Sequence, residues 1–209
     1  PDPYHTEHDR YLTNYLQSGQ KKVIGIGREV LGLRHDGVSF PIELAVSEML
    51  VDGVRKFTGI VRDISSRKQA EAQFRQVVES APNGMLMIDP LGNITLVNKQ
   101  VETMFGYSRE EMLGKPVEML IPERFCPDHP AHRIGYFSAP SSRAMGAGRE
   151  LFGLHKNGQE FPVELGLNPI DTPNGKLALA SIVDITLRKR TESALAKAAQ
   201  DLELKNREL

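Results

Sequence analysis

The sequence predicts an α+β protein that contains two related domains, each built on an antiparallel sheet. Three observations support this prediction: an internal repeat, a hairpin signature in each copy of it, and the order of strands and helices in the second copy. The repeat is clearest at residues 27–49, GREVLGLRHDGVSFPIELAVSEM, which recur at 148–170 as GRELFGLHKNGQEFPVELGLNPI. At the same offset, residues 1–71 align with 122–192 without a gap, which indicates domain duplication.

Each copy of the repeat is predicted to form a β-hairpin. An apolar run is followed by a polar turn, HDGV at 35–38 or KNGQ at 156–159, and then by a run in which apolar and polar residues alternate. Gly37 and Gly158 can adopt the positive φ that such turns need. The pattern therefore favours paired antiparallel strands in both domains.

The first copy, 1–64, is predicted to be a helix followed by three strands. Residues 4–18 show helical spacing, with His8 and Tyr15 on one face, and Gly19 ends the helix. The strands are expected near 23–34, 39–50 and 55–63. Because the elements that open the second copy have no counterpart before Pro1, we expect this copy to be the C-terminal half of a larger domain.

The remaining segments are a connecting helix over 65–81, a complete second domain over 82–186 and a charged helix over 187–209. The second domain is predicted to contain two strands, helices that begin after Asn98, and the three repeated strands. The last helix carries an alternating four- and three-residue spacing at Leu195, Ala199, Leu202, Asn206 and Leu209. This spacing predicts a parallel coiled coil between two copies of the chain, and the alternative is a solitary solvated helix.

Composition narrows the class of function. The net charge of −1, with acids and bases evenly mixed, gives no basic surface for nucleic acid or for a membrane. No apolar run is long enough to span a membrane, and the single cysteine, Cys126, fits a reducing compartment. We therefore expect a cytoplasmic protein. The motifs of phosphate loops, zinc-protease helices and nucleophile elbows are missing from the sequence, so no catalytic domain is predicted in this chain.

Residues 72–188 resemble PAS domains of the S-box type. The resemblance rests on FRQVVESAPNGMLMID, NKQVETMFGYSREEMLGKPVEMLIP, GRELFGLHKNGQEFPVEL and the closing Asp-Ile-Thr at 184–186. It implies a five-stranded antiparallel sheet, with helices on one face, that receives a signal and passes it to the following helix. Asp63 and Asp184 would couple sheet to helix, with Thr186 as a cap and Arg188 among their basic partners.

The first copy resembles the C-terminal half of the haem-binding PAS domain of the oxygen-sensing FixL family. The matching stretches are PDPYHTEHDRYL, GQKKVIGIGREV, DGVSFPIELAVSEM and FTGIVRDIS. The resemblance implies that His8 is the iron ligand and that Arg28 is the distal arginine that answers bound gas. The other cofactor-binding residues would be Tyr15 on the helix face of His8 and an apolar wall of Val23, Leu44 and Val46.

The haem prediction also has a physical basis. An imidazole on a helix that faces a sheet of Val and Leu residues could bind iron in a dry slot, and an arginine at its edge could hydrogen-bond a bound ligand. The alternative is that His8 is a surface or capping histidine. The sequence departs from the family pattern at the propionate-contacting positions, where Lys22 could still serve but Asn14 weakens the anchoring.

No cofactor is predicted in the second domain. His129, the counterpart of His8, precedes Pro130, which favours the N-terminus of a helix over an inward-facing position. The nearby His132 and the counterpart arginine, Arg149, are expected to be structural. A flavin photoreceptor of the LOV type would need a reactive motif like NCRFLQ, and FCPDHP around Cys126 does not match it.

The tail ALAKAAQDLELKNREL resembles the helix that leads into the phospho-accepting domain of many PAS-containing sensor histidine kinases. The tail implies a sensory and relay module of a cytoplasmic two-component kinase, dimeric through its helices. The resemblance of the first copy implies that the module senses oxygen or redox state through haem. A kinase or other effector domain would follow in the parent protein, which is expected to be a histidine kinase, whereas no catalytic domain is expected in this chain itself. The alternatives are a ligand-free PAS interaction module and a PAS input to a cyclic-dinucleotide enzyme.

Overall fold

The computed structural model describes residues 27–145, 150–173 and 175–207, and before them residues 2, 6–7, 10 and 13–15. Side chains of the last helix are described up to Asp201. The chain forms two compact units, Pro1–Arg75 and Gln76–Leu209, each with its own antiparallel sheet. The predicted α+β class is confirmed.

The first unit contains a three-stranded antiparallel sheet in the order β1-β2-β3. Its strands are β1 (Arg28–Leu33), β2 (Ser39–Val51) and β3 (Val54–Asp63). Gly37 has φ 84 in the first turn, and Asp52 and Gly53 have φ 52 and 75 in the second, the paired positive values that suit a two-residue hairpin loop. The described residues between 6 and 15 are helical, in agreement with the helix predicted over 4–18.

Helix α1 (Ser65–Glu79) follows β3 and leads to the first strand of the second sheet. Most of its side chains are exposed, and Val78 in its last turn is buried. Two large apolar side chains of this helix, Phe74 and Val77, are 61% and 68% exposed.

The second unit has the order strand-strand, helices, strands that the sequence predicts. Its first part consists of β4 (Gly84–Ile88), β5 (Ile94–Val97), α2 (Lys99–Phe105), α3 (Arg109–Met112), the 3₁₀ turns Val117–Leu120 and Glu123–Phe125, and α4 (His129–Ser138). Its second part consists of β6 (Arg143–Met145), β7 (Leu151–Leu154), β8 (Glu160–Thr172), β9 (Gly175–Asp184) and α5 (Thr186–Arg207).

The second sheet is antiparallel, in the order β5-β4-β9-β8, and both β6 and β7 pair with the free side of β8. Met145 of β6 pairs with Leu165 and Leu151 of β7 pairs with Val163, so the two short strands follow one another along the same edge. The predicted five-stranded PAS sheet is therefore confirmed, with its edge strand in two pieces.

The core of the second unit lies between this sheet and the helices. It includes Leu86, Ile94, Val101, Phe105, Met112, Leu120, Tyr136, Val163, Ala180 and Ile182. Residues on β4 and β9 alternate between buried and half-buried, as expected for a sheet covered on one face. Asn98 caps α2 by accepting a hydrogen bond from the Val101 backbone N–H, which confirms its predicted capping role.

The two copies pair their strands in the same register. Ile42 pairs with Asp63 in the first sheet, and the equivalent Val163 pairs with Asp184 in the second. Because side chains of successive residues alternate between faces, an equal register means that equivalent residues occupy equivalent faces. The face of the first sheet that corresponds to the helix-covered face of the second is called the inner face below, and the opposite one the outer face.

Candidate functional site

Three residues predicted to contact a cofactor lie together on the inner face of the first sheet. Arg28 is the register partner of Leu44, so their side chains project to the same side, and Val46 follows on that side two residues along β2. All three residues are partly buried. The structure thus places one arginine beside two branched apolar side chains on one face of the sheet.

Tyr15 packs on the same face of the first sheet. Its hydroxyl donates a hydrogen bond to Glu48, and its ring meets Phe57 edge-on with centroids 6.0 Å apart. Glu48 lies two residues beyond Val46, and Arg55 Nε binds its carboxylate at 2.6 Å. The hydrogen bond to Glu48 raises the pKa of Tyr15, and burial raises it further. This contact ties the helix that contains Tyr15 to β2.

His8 and Val23, the predicted iron ligand and a predicted wall residue, lie outside the described residues, as do Lys22 and Arg149. Within the part of the chain that the structure describes, no group of three His, Cys, Asp or Glu residues is arranged to hold a metal ion. The haem site therefore stays a prediction, and the structure contributes the inner-face arrangement of the other residues.

The second unit differs from the first at the position of this tyrosine contact. Tyr136 is the counterpart of Tyr15 and is 4% exposed, but its hydroxyl has no hydrogen-bond partner among the described residues. The counterpart of Glu48 is Pro169, which offers no side-chain acceptor. Burial raises the pKa of Tyr136. That the second domain binds no cofactor stays a prediction.

His129 occupies the first residue of α4, as its position before Pro130 predicts. Its Nδ1 lies 2.8 Å from Glu118 Oε1, and Arg133 binds the same carboxylate oxygen. Burial pushes the pKa of Glu118 upward, but the hydrogen bond from His129 and the charge of Arg133 outweigh it, so this pKa lies below its ordinary value. His132 is exposed. These contacts give His129 a structural partner.

The junction between β9 and α5 holds the residues predicted to couple sheet to helix. Asp184 Oδ1 accepts hydrogen bonds from the backbone N–H of Thr186 at 2.8 Å and from its hydroxyl at 2.5 Å. Arg188 donates to Glu164, and Lys189 Nζ lies 2.8 Å from Glu150 Oε1. We call these contacts the exit latch of the second unit.

The first unit has an exit latch at the equivalent place. Asp63 Oδ1 accepts a hydrogen bond from the Ser65 backbone N–H at 2.8 Å. Glu29 Oε1 binds Arg67 at 2.5 Å, and its Oε2 binds Lys68 at 2.6 Å. In both copies the isoleucine after the aspartate is buried and donates its N–H to the proline of the hairpin, at 3.1 Å. The latch is therefore duplicated together with the fold.

The glutamates of the latch lie on the outer face of the sheet. Glu29 and Glu43 are register partners on adjacent strands, and like charges in that position repel. The basic residues of the next helix relieve this repulsion. The hydrogen bond from Lys68 lowers the pKa of Glu29, and those from Lys189 and Arg188 lower the pKa of Glu150 and Glu164.

The structure corrects one detail of the predicted coupling. The sequence suggested that Asp63 and Asp184 pair with the basic residues that open the next helix, but those residues bind Glu29, Glu150 and Glu164. The aspartates, rather than the predicted cap Thr186, accept the N–H groups at the helix start, and the Thr186 hydroxyl itself donates to Asp184. Asp63 also binds Arg34 at 2.7 Å. Sequence reasoning missed the glutamates, although Glu29 and Glu150 recur at the offset of the repeat.

The fold agrees with the comparison against protein families. The PAS domain family matches residues 2–66 and 82–187, which is more than half of the chain. The chain therefore belongs to the PAS domain family, and it contains two PAS segments in tandem.

Curated relatives include bacterial sensor proteins. The chain is 39% identical over 77 residues to the sensor protein FixL of Bradyrhizobium diazoefficiens, a match that covers 37% of this chain and 15% of FixL. It is 29% identical over 149 residues to the cell-division control histidine kinase PdhS of Brucella anthropi, covering 68% of this chain and 14% of PdhS. The chain thus spans a small part of the length of either relative.

Among solved structures, the PAS domain of an HTR-like protein from Haloarcula marismortui superposes with a TM-score of 0.51 at 22% identity. The match covers 57% of this chain and 95% of that structure. It supports the PAS fold. In the described part of the chain, no helix combines the length and the apolar character needed to cross a membrane.

Proposed function

We propose that the chain is the sensory and signal-relay segment of a cytoplasmic two-component sensor histidine kinase, whose kinase or other effector domain follows in the parent protein. The observation that carries the proposal is the duplicated exit latch, in which a PAS sheet holds the first turns of the next helix through an aspartate cap and outer-face glutamates. Relationship to FixL and PdhS supports it.

The latch suits a switch because its parts are individually weak. Ion pairs between exposed side chains contribute little each, and the side chains of Glu150, Glu164, Arg188 and Lys189 are all well exposed. A small change in sheet geometry can therefore redistribute these contacts and change how the helix leaves the sheet. Such a device needs two states whose balance the signal biases.

Replacing Asp184 by alanine tests the relay. The Thr186 N–H loses its acceptor, so we expect amide hydrogen exchange in the first turn of α5 to rise several-fold. Asp171→Ala is the matched control, because Asp171 is an exposed strand residue that binds Lys176. Unchanged exchange at residues 186–189 in Asp184→Ala would argue against a latch at this junction.

We also propose that the first PAS domain, when complete in the parent, holds haem as a sensor of oxygen or redox state. Arg28 beside Leu44 and Val46 fits a flat apolar group with an acidic edge, and Tyr15 fixes the neighbouring helix to the same face. His8 would be the iron ligand and Val23 would complete the apolar wall. Bound haem would supply reversible binding of a small gas, and Arg28 would donate hydrogen bonds at the pocket edge.

A visible absorption spectrum of the parent protein tests the haem proposal. We expect a Soret band that is lost in His8→Ala and retained in His35→Ala, because His35 lies in the exposed hairpin turn. A colourless parent that takes up no added haem would exclude gas sensing by haem and leave the PAS segments as a ligand-free relay.

We further propose that two copies of the chain pair through their helices. Phe74 on α1 and Leu195 on α5 are 61% and 72% exposed, and they are separated by the same 121 residues as the two copies of the repeat. An aspartate in place of Leu202 would put a charge in the predicted seam, so the mass measured by light scattering should fall toward that of one chain. Gln200→Asp, off the seam, is the control, and an unchanged mass in Leu202→Asp would refute the coiled coil.

A further inference from the structure

The last turn of α1 is bound by side chains of the second unit. We call this site the α1 anchor, and it consists of Val78, Glu79, Asn98, Lys99 and Arg109. The Asn98 amide Nδ2 donates to the Val78 carbonyl at 3.0 Å, and the Glu79 carboxylate accepts from Lys99 and Arg109. The compact second unit accordingly begins at Gln76, inside α1 rather than after it.

Asn98 uses the whole hydrogen-bonding capacity of its amide. Nδ2 donates to the carbonyls of Val78 and Asn83, both at 3.0 Å, and Oδ1 accepts from the N–H groups of Met85 at 2.9 Å and Val101 at 3.2 Å. The residue is fully buried, at 0% exposed. A buried polar group that loses its partner is costly, so these bonds break or persist together. Asn98 therefore joins the end of α1 to the start of β4 and of α2.

Glu79 adds a second connection at the rim of the anchor. Its Oε2 accepts from the Lys99 backbone N–H at 2.9 Å, and its Oε1 accepts from the Arg109 guanidinium. A hollow of about 310 Å³ lined by Glu79, Lys99, Glu102, Arg109 and Glu110 opens beside this pair. Glu79 is half-buried at the rim of this hollow, so its side chain can be shortened without leaving a closed cavity in the core.

Strand pairing continues the connection from the anchor to the exit latch. Met85, which Asn98 binds, pairs with Ser181 of β9, and β9 ends at Asp184, which caps α5. We propose that the α1 anchor is the input joint of the second PAS domain, through which a displacement of α1 is passed by β4 and β9 to α5. Asn98 and Glu79 are its positioning residues. This inference rests on the proposed relay function and adds the place where the signal enters.

Amide hydrogen exchange of the whole chain tests whether a change at the anchor affects the latch and a change at the latch affects the anchor. Glu79→Ala removes two bonds to the last turn of α1, so exchange at residues 76–79 should rise roughly 5- to 30-fold. If anchor and latch are coupled, exchange at 186–189 rises as well, and Asp184→Ala raises exchange at 76–79 by the same factor. Amides at helix ends exchange through local fraying and not through unfolding of the whole domain. A variant that only lowers global stability therefore does not raise exchange at both 76–79 and 186–189 by equal factors.

Two further variants complete the experiment. Glu71→Ala is the matched control, because Glu71 also lies on α1 and forms an exposed ion pair of 3.8 Å with Arg75 of the same helix, away from the anchor. Glu79→Gln keeps an acceptor for the Lys99 N–H and should restore part of the protection. If each variant raises exchange only at its own helix, the input joint is refuted while the latch stands. If Asp184→Ala leaves 186–189 unchanged, the relay proposal itself fails, and the input joint that rests on it fails with it.

Discussion

Replacing Asn98 by alanine should destabilise the second PAS domain strongly. The substitution removes four hydrogen bonds from a fully buried position. The Val101 N–H keeps a backbone acceptor in the Asn98 carbonyl, and the Val78 carbonyl keeps the Ala81 N–H, so the main groups left unsatisfied are the Met85 N–H and the Asn83 carbonyl.

The magnitude follows from those two groups. Each buried group left without a partner costs about 1 to 3 kcal/mol, so we expect the free energy of unfolding to fall by about 3 to 5 kcal/mol once the small cavity is included. The assay is native-state hydrogen exchange of the β9 amides near Ala180, which are buried in the core and report on opening of the whole unit.

Asn168→Ala is the control for this experiment. Asn168 is exposed on β8, so its removal should change the free energy of unfolding by less than about 0.5 kcal/mol. If Asn98→Ala costs less than about 1 kcal/mol, the amide is not the satisfied buried hub that its contacts indicate, and the argument from hydrogen-bond satisfaction is wrong.

Three other predictions concern packing, a buried hydroxyl and acid stability. A Cβ on Gly153 would lie 2.7 Å from Phe161 Cζ, whereas one on the equivalent Gly32 would lie 3.1 Å from Phe40, so Gly153→Ala should lower the melting temperature more than Gly32→Ala in thermal scans. Tyr136→Phe removes a hydroxyl without a described partner and should cost less than about 0.5 kcal/mol in urea unfolding; a larger loss would reveal an acceptor. The lowered pKa of Glu118 stabilises the fold above the unfolded carboxyl pKa of about 4.3, and this contribution is lost as pH falls through the folded value. Wild type and Glu118→Gln should therefore converge in stability in acid.

Local patterns in the sequence were sufficient for the elements and for single caps. The turn glycine Gly37, with φ 84, lies between β1 and β2 where the Asp-Gly signature predicts a turn, and Asn98 caps α2 as an asparagine before a helical run should. The second role of Asn98 could not be predicted, because Val78 and Asn83 approach its amide only after the strands and helices have packed. A cap is a local property, whereas a buried hub depends on tertiary contacts.

The error in the predicted latch has a physical reason. Asp184 has a short side chain directly before α5, so its carboxylate reaches the free N–H group at the helix start. Arg188 and Lys189 have long side chains that reach the outer face of the sheet instead. Which glutamates lie there depends on strand register, and a register cannot be read from one strand alone.

The same register explains why the predicted cofactor residues lie together. Arg28, Leu44 and Val46 are separated in sequence, yet the pairing of β1 with β2 brings them to one face. The hairpin signature predicts such pairing, but the helix-side wall depends on contacts that no local pattern encodes. Tyr15 supplies one such contact through Glu48. The sequence resemblance named these residues, and the strand geometry gives a reason for their proximity.

The duplication separates what the two PAS segments share from what distinguishes them. Both end in the same latch, with an aspartate cap and basic residues held by outer-face glutamates, so both can act on the helix that follows. The anchor at Asn98 connects a helix to the sheet that follows it, because it fixes the end of α1 to β4, the strand that pairs with β9. A helix held by a latch at its start and by an anchor at its end can transmit displacement in one continuous element. The order latch, helix, anchor, sheet, latch therefore gives the proposed relay a continuous path between the first PAS segment and α5, along which coupling acts in both directions.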